Sequence, residues 1–163
     1  MPPPDRLVRR HRHSLTNALI LGGSSSTRAE WARAFHLESP LRLGIFVCLD
    51  CRHDEPRLRD ALSGWLAATP STDPTLIAVQ HGTLFLDSIE CLSIESQRLL
   101  LELAAAPPSE RGRTEWAPSV GRLICGGTEQ LVRGRDEGRF MLELFDALDK
   151  IRIDLDHPIV GAA

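Results

Sequence analysis

The feature that most constrains this chain is a rhythm. Short apolar runs, each stopped by glycine or a carboxylate, are separated by stretches with helical spacing. NALIL at 17–21 runs into Gly22 and Gly23, and GIFVCL at 44–49 runs into Asp50. GTLFLD at 82–87 ends on Asp87, VGRLIC at 120–125 runs into Gly126 and Gly127, and IRIDL closes the series at 151–155. TLIAV at 75–79 has the same character. Runs this short that are apolar throughout, rather than alternating, belong to strands buried on both faces. Between them, Trp31, Ala32, Ala34 and Phe35 set out an amphipathic helix over 28–37, and Leu58, Leu62, Trp65 and Leu66 another over 56–68. Residues 94–105 and 140–148 also read as helices. Strands alternating with helices predict an α/β fold with a mainly parallel central sheet covered on both faces.

The length of 163 residues, with 42% apolar and 25% charged content, fits one domain with a real core. That domain is expected over 15–158. A Pro-rich then basic tail (1–14, containing Arg9, Arg10, His11, Arg12 and His13), partly disordered, precedes it, and a short tail (159–163) follows. A net charge of -3 excludes the broad basic field of a nucleic-acid binder, and the absence of Tyr leaves no aromatic platform for single strands. No direct DNA contact is expected. No apolar run is long enough to span a bilayer, and the start MPPPD has no apolar leader region, so a cytoplasmic protein without a membrane partner is expected. Cys48, Cys51, Cys91 and Cys125 then read as free thiols. CLDC at 48–51, with His53 nearby, lacks a second ligand pair, so no metal site is expected. His36 and His81 read as ordinary residues. Trp65 and Trp116 are candidate anchors for a partner protein if exposed.

The first strand-to-turn-to-helix unit, with GGSSSTR at 22–28, lies where folds of this class hold phosphate. Glycines there let several N–H groups converge on one anion, and a lysine adds a point charge. Against the pattern G-x-x-x-x-G-K-[ST], Gly22 stands at the first glycine, Thr27 at the second and Arg28 at the lysine. A β-branched Thr27 where φ would have to be positive predicts a deformed cradle. The plain structural reading is a serine-rich turn that caps a helix.

These segments, in order, resemble the AAA+ domain of sigma-54-dependent transcriptional activators, the bacterial enhancer-binding or NtrC-like family. ALILGGSSSTRAEWARAFH at 18–36 resembles the family's phosphate loop and its helix, and GTLFLDSIECL at 82–92 its GTLFLDEIGEL segment. RLICGGT at 122–128 resembles the sensor strand, and EGRFMLELFDAL at 137–148 resembles EGRFREDLYYRL. The resemblance implies a three-layer AAA+ P-loop-type core, lacking the C-terminal helical lid. It also implies a vestigial nucleotide site made of Gly22, Ser24, Ser26, Thr27, Arg28, Asp87 and Thr128.

The same resemblance points to lost catalysis. The carboxylate that would polarise water is Ser88, and a serine is no base at neutral pH. The family's two arginines that reach a neighbouring subunit's site are Met141 and Ala147 here, and its GAFTGA loop is not found between 64 and 82. The expectation is a non-catalytic pseudo-ATPase that takes no cofactor and regulates transcription or signalling by binding a protein partner, a sigma-54 activator or another signalling protein. Its oligomeric state is left open, with no stable hexamer of this chain alone expected. Two alternatives are a sensor that binds ATP or ADP without turnover, and a weak ATPase using Asp87 with Glu90.

Overall fold

The apolar runs pair into one sheet. A computed structural model of the chain describes residues 5–66, 82–106 and 120–157. Its strands are β1 (Ala18–Leu21), β2 (Phe46–Asp50), β3 (Thr83–Asp87), β4 (Arg122–Gly127) and β5 (Ile151–Asp154), in the order β2-β3-β4-β1-β5. Every pairing among them is parallel. α1 (Asp5–Arg10) precedes β1; parallel neighbours need crossovers, and the described ones carry α2 (Ser25–Leu37), α3 (Glu55–Leu66), α4 (Ile94–Ala105), α5 (Glu129–Asp136) and α6 (Leu142–Leu148).

Alternate strand residues face opposite layers. Leu19, Leu21, Val47, Leu49, Leu84, Leu86 and Leu123 pack with Leu58, Leu62, Leu100, Leu103, Leu144 and Phe145 from α3, α4 and α6. Ala18, Ile20, Phe85, Ile124, Ile151 and Ile153 pack with Val8, Trp31, Ala32 and Phe35 from α1 and α2. The result is the three-layer α/β architecture expected. Because the chain leaves β1 for the far edge and returns through β3 and β4 before crossing to β5, its direction of winding reverses at β1. In open sheets of this kind ligands sit at the carboxyl ends of the strands beside such a reversal.

Several expectations change in detail. α1 belongs to the folded unit rather than to a tail, because Val8 is buried beside Trp31 and Phe35. β2 is an edge strand, so Val47 and Leu49 are buried while Cys48, expected inside, is exposed. Trp65 is 6% exposed in the core and is not a partner anchor. Gly126 and Gly127 do not stop β4; they are its last residues. A Cβ on Gly126 would lie 2.7 Å from Asp87 Oδ1, so the strand passes there only as glycine. α5 went unread because EQLVRGRD offers little apolar periodicity; it buries Leu131 and Gly134. The 75–79 run, His81 and Trp116 lie outside the described residues.

Candidate functional site

β1 delivers the chain into the turn with its ladder intact, since the Gly22 N–H donates to the Gly127 carbonyl at 2.9 Å. Gly22 and Gly23 then take φ of 85° and 59°, a left-handed region that costs an L-residue about 1–2 kcal/mol. Ser24 returns to an extended conformation, and its Oγ accepts the Thr27 N–H at 3.1 Å, capping α2. The hydroxyls of Ser26 and Thr27 lie 3.0 and 2.9 Å from that same Oγ. α2 therefore starts at Ser25, three residues earlier than its apolar pattern indicated, and Thr27 sits inside it. The strain expected at Thr27 is not there; the positive φ values fall on the two glycines.

Arg28 turns inward, 2% exposed, onto Asp87 at the end of β3, 4% exposed. Nε donates to Asp87 Oδ1 at 2.6 Å and Nη2 to Oδ2 at 3.2 Å. Nη1 donates to the carbonyls of Gly22 and Gly23, both at 3.0 Å, and Nη2 also donates to Ser25 Oγ at 3.1 Å. A guanidinium has five N–H donors, and these five bonds use them all. Ser25 Oγ passes its own hydrogen to Asp87 Oδ2 at 2.7 Å. Each Asp87 oxygen is thus engaged, and the pair cancels its charge in the interior.

Ser88, next along, is the one non-glycine described with positive φ (57°). Its backbone is left-handed, and its side chain carries no charge. Glu90, in the short 3-10 turn Ile89–Cys91, reaches instead to Thr128. Its Oε1 accepts the Thr128 hydroxyl at 2.8 Å and the Thr128 N–H at 3.3 Å. Thr128 Oγ1 also accepts the Gln130 N–H at 3.2 Å, capping α5. The hydroxyl's single hydrogen is therefore committed to Glu90. Glu90 Oε2 is buried without a partner among the described residues.

A residue that the sequence reading missed completes the arrangement. β5 pairs with β1 so that Asp154 faces Leu21, and the Leu155 N–H donates to the Leu21 carbonyl at 2.8 Å. Two residues past that register point, Asp156 Oδ1 accepts the Gly23 N–H at 3.0 Å. Asp156 Oδ2 lies 2.3 Å from where a Cβ on Gly22 would stand, so glycine there leaves room for the carboxylate. No local signal marks Asp156; the pairing of two strands far apart in sequence brings it to the turn.

Elsewhere, the Met141 N–H donates to Gln97 Oε1 at 2.9 Å at the start of α6, and Ala147 packs against the core. Burial pushes the Cys51 thiol far above its usual range, with the neighbouring Cys125 adding to the shift. Buried His36 faces the Thr83 hydroxyl through Nδ1 (2.8 Å) and the Gly44 carbonyl through Nε2 (3.0 Å). That carbonyl needs a donor, which places the hydrogen on Nε2. Among the described residues no group of three His, Cys, Asp or Glu is disposed to hold a metal, and no helix is long and apolar enough to cross a membrane.

A glycine turn at the carboxyl end of a central strand, opening a helix and faced by a carboxylate on a nearby parallel strand, defines a P-loop-type α/β core. The chain belongs to the Sigma-54 interaction domain family, whose model matches residues 5–154. It is 31% identical over 140 residues to the C4-dicarboxylate transport transcriptional regulatory protein DctD of Pseudomonas aeruginosa, covering 82% of this chain and 30% of that one. It is 33% identical over 147 residues to the acetoin catabolism regulatory protein of Cupriavidus necator, covering 85% of this chain and 22% of that one. The chain thus spans a third or less of these curated relatives. In structure it resembles NtrX from Brucella abortus in complex with ATP, with a TM-score of 0.73 and 22% identity, over 91% of this chain and 35% of that one. The P-loop NTPase domain of a sigma-54 activator from E. coli superimposes with a TM-score of 0.59 at 22% identity, over 86% of this chain and 97% of that domain.

The expectation that no cofactor belongs here is corrected by these structures. NtrX carries this fold in complex with ATP and, in a second structure, with ADP. The deformed cradle was expected from a β-branched Thr27 at positive φ, yet the positive φ values fall on Gly22 and Gly23.

Proposed function

We propose that this chain is a regulatory core of the sigma-54 activator type that binds an adenine nucleotide without hydrolysing it, and acts through protein contacts in the cytoplasm. The observation that carries the reading is the buried Arg28–Asp87 pair. The residues present fit a phosphate: the Gly23 N–H already holds an anionic carboxylate, and α2 directs its amino end at the turn. They do not fit a catalytic magnesium. Both oxygens of Asp87 are taken by Arg28 and Ser25, and the adjoining Ser88 contributes no charge. Catalytic phosphoryl transfer in P-loop proteins relies on a metal, a positioned water and cations around the transferred group. This chain supplies Ser88 where the water would be polarised, Met141 and Ala147 at the positions of the family's arginines, and Arg28 with no donor to spare. Glu90 is tied to Thr128, which argues against its serving as a substitute base.

The proposal is tested by titrating the chain with fluorescent ADP and ATP while measuring phosphate release. Saturable binding with release no faster than buffer alone is expected. Steady release abolished by Asp87→Asn would replace this reading with that of a weak ATPase. Absence of any saturable binding would leave only the scaffold.

A further inference from the structure

Asp156 stands against the glycine turn at the carboxyl end of β1, the part of such folds where phosphate is held. Its carboxylate takes the Gly23 N–H at 3.0 Å and stands directly over Gly22, where a Cβ would approach Oδ2 to 2.3 Å. The contact is presented by a built turn. Asp154 Oδ1 accepts the N–H groups of Asp156 at 3.1 Å and His157 at 2.9 Å, and the Leu155 N–H continues the ladder to Leu21. Asp156 is nonetheless exposed, so its carboxylate is free to leave into water. A phosphate brought to this turn carries the same sign as the carboxylate and meets it at close range.

We propose that Asp156 is an intramolecular latch on the phosphate-binding turn: its carboxylate and the phosphates of a nucleotide compete for Gly23, so that binding releases the turn that follows β5. This deepens the reading above and rests on it. Competition is reciprocal, so a ligand that displaces the latch loosens the 154–157 turn, and a broken latch strengthens the ligand. The released turn is the signal through which occupancy becomes visible at the surface.

The experiment compares the full chain with Asp156→Ala and Asp156→Asn, using fluorescent ADP and, as a probe without the adenosine, pyrophosphate. Loss of a charge-assisted competitor is expected to tighten both probes by about tenfold in Asp156→Ala, with Asp156→Asn between it and the parent. In the parent chain, saturating ADP is expected to speed amide exchange at Asp156 and His157 while slowing it at Gly23. A helix-capping role alone would weaken folding without tightening either probe. Equal affinities in parent and variants, with ADP bound, overturn the latch and leave the nucleotide reading standing. Failure of the parent and both variants to bind either probe overturns the nucleotide reading and the latch together. Circular dichroism on each variant establishes that the fold is intact.

Discussion

Asp87 and Asp156 are both carboxylates set against the same turn. Asp87 is 4% exposed, ends a central strand, and meets a guanidinium and a hydroxyl that between them engage both its oxygens. Asp156 is exposed, follows the edge strand β5, and holds one backbone N–H. Burial makes the difference. Charges removed from water are held together by the cost of separating them, whereas an exposed carboxylate is rehydrated when it lets go. Asp87 is therefore held by the core itself, whereas Asp156 holds the turn only through a contact that water can replace.

The comparison breaks most visibly if Asp87 is removed. Asp87→Ala leaves the Arg28 charge buried and unpaired, and is expected to cost about 3–5 kcal/mol of stability in urea denaturation. A loss near that of an ordinary surface substitution would mean that the pair is hydrated, and the contrast with Asp156 would go. A smaller effect of opposite sign is expected at Ser88. Its left-handed backbone suits glycine, so Ser88→Gly is expected to raise stability by about 1 kcal/mol in the same assay. Destabilisation there would place strain relief elsewhere in the turn.

A pH scan probes the other end of the sheet as a control. Burial, first, and the charges of Arg33 and Arg122 lower the pKa of His36 below its ordinary 6.5, against a raising effect from Gly44. Burial, with Arg10 and Arg122, lowers that of His11. Below pH 6.5 the unfolded chain takes up protons that the folded chain resists, so stability falls as pH drops through that window and is level above it. The double substitution His11→Gln with His36→Gln is expected to flatten the slope. A slope that persists would assign it to other groups.

The smallest expected effect is none at all. With Asp87 closed, fluorescent ADP should bind equally well with magnesium and with EDTA, within about twofold. A strong gain on adding magnesium would show that Asp87 can be opened, and would erase the difference between the two carboxylates.

Much of this was legible from the sequence. The apolar runs predicted every described strand, because a strand buried on both faces cannot avoid a continuous apolar signature. The family resemblance singled out Asp87, Gly22, Ser24 and Arg28, and the structure brings Asp87, from the end of β3, against Arg28 at the turn where the other three lie. Burial of Cys48 was misread, since position within the sheet depends on strand order, which a run of letters does not carry; Trp65 is buried, as its place on the apolar face of its helix indicated. Thr27 was misread because a helix that starts at Ser25 has little apolar periodicity in its first turn.

The sequence by itself determined the α/β alternation and the glycine turn, and set Ser88 directly after Asp87 and Arg28 at the end of the glycine-serine stretch. These are properties of residue type and local spacing. Only the tertiary structure decided what these residues touch. Arg28 spends all its donors inward because β3 lies two strands from β1 and presents Asp87 beneath it. Asp156 reaches Gly23 because β5 pairs with β1 in parallel register. Both contacts join residues far apart along the chain, and their existence depends on which strands become neighbours.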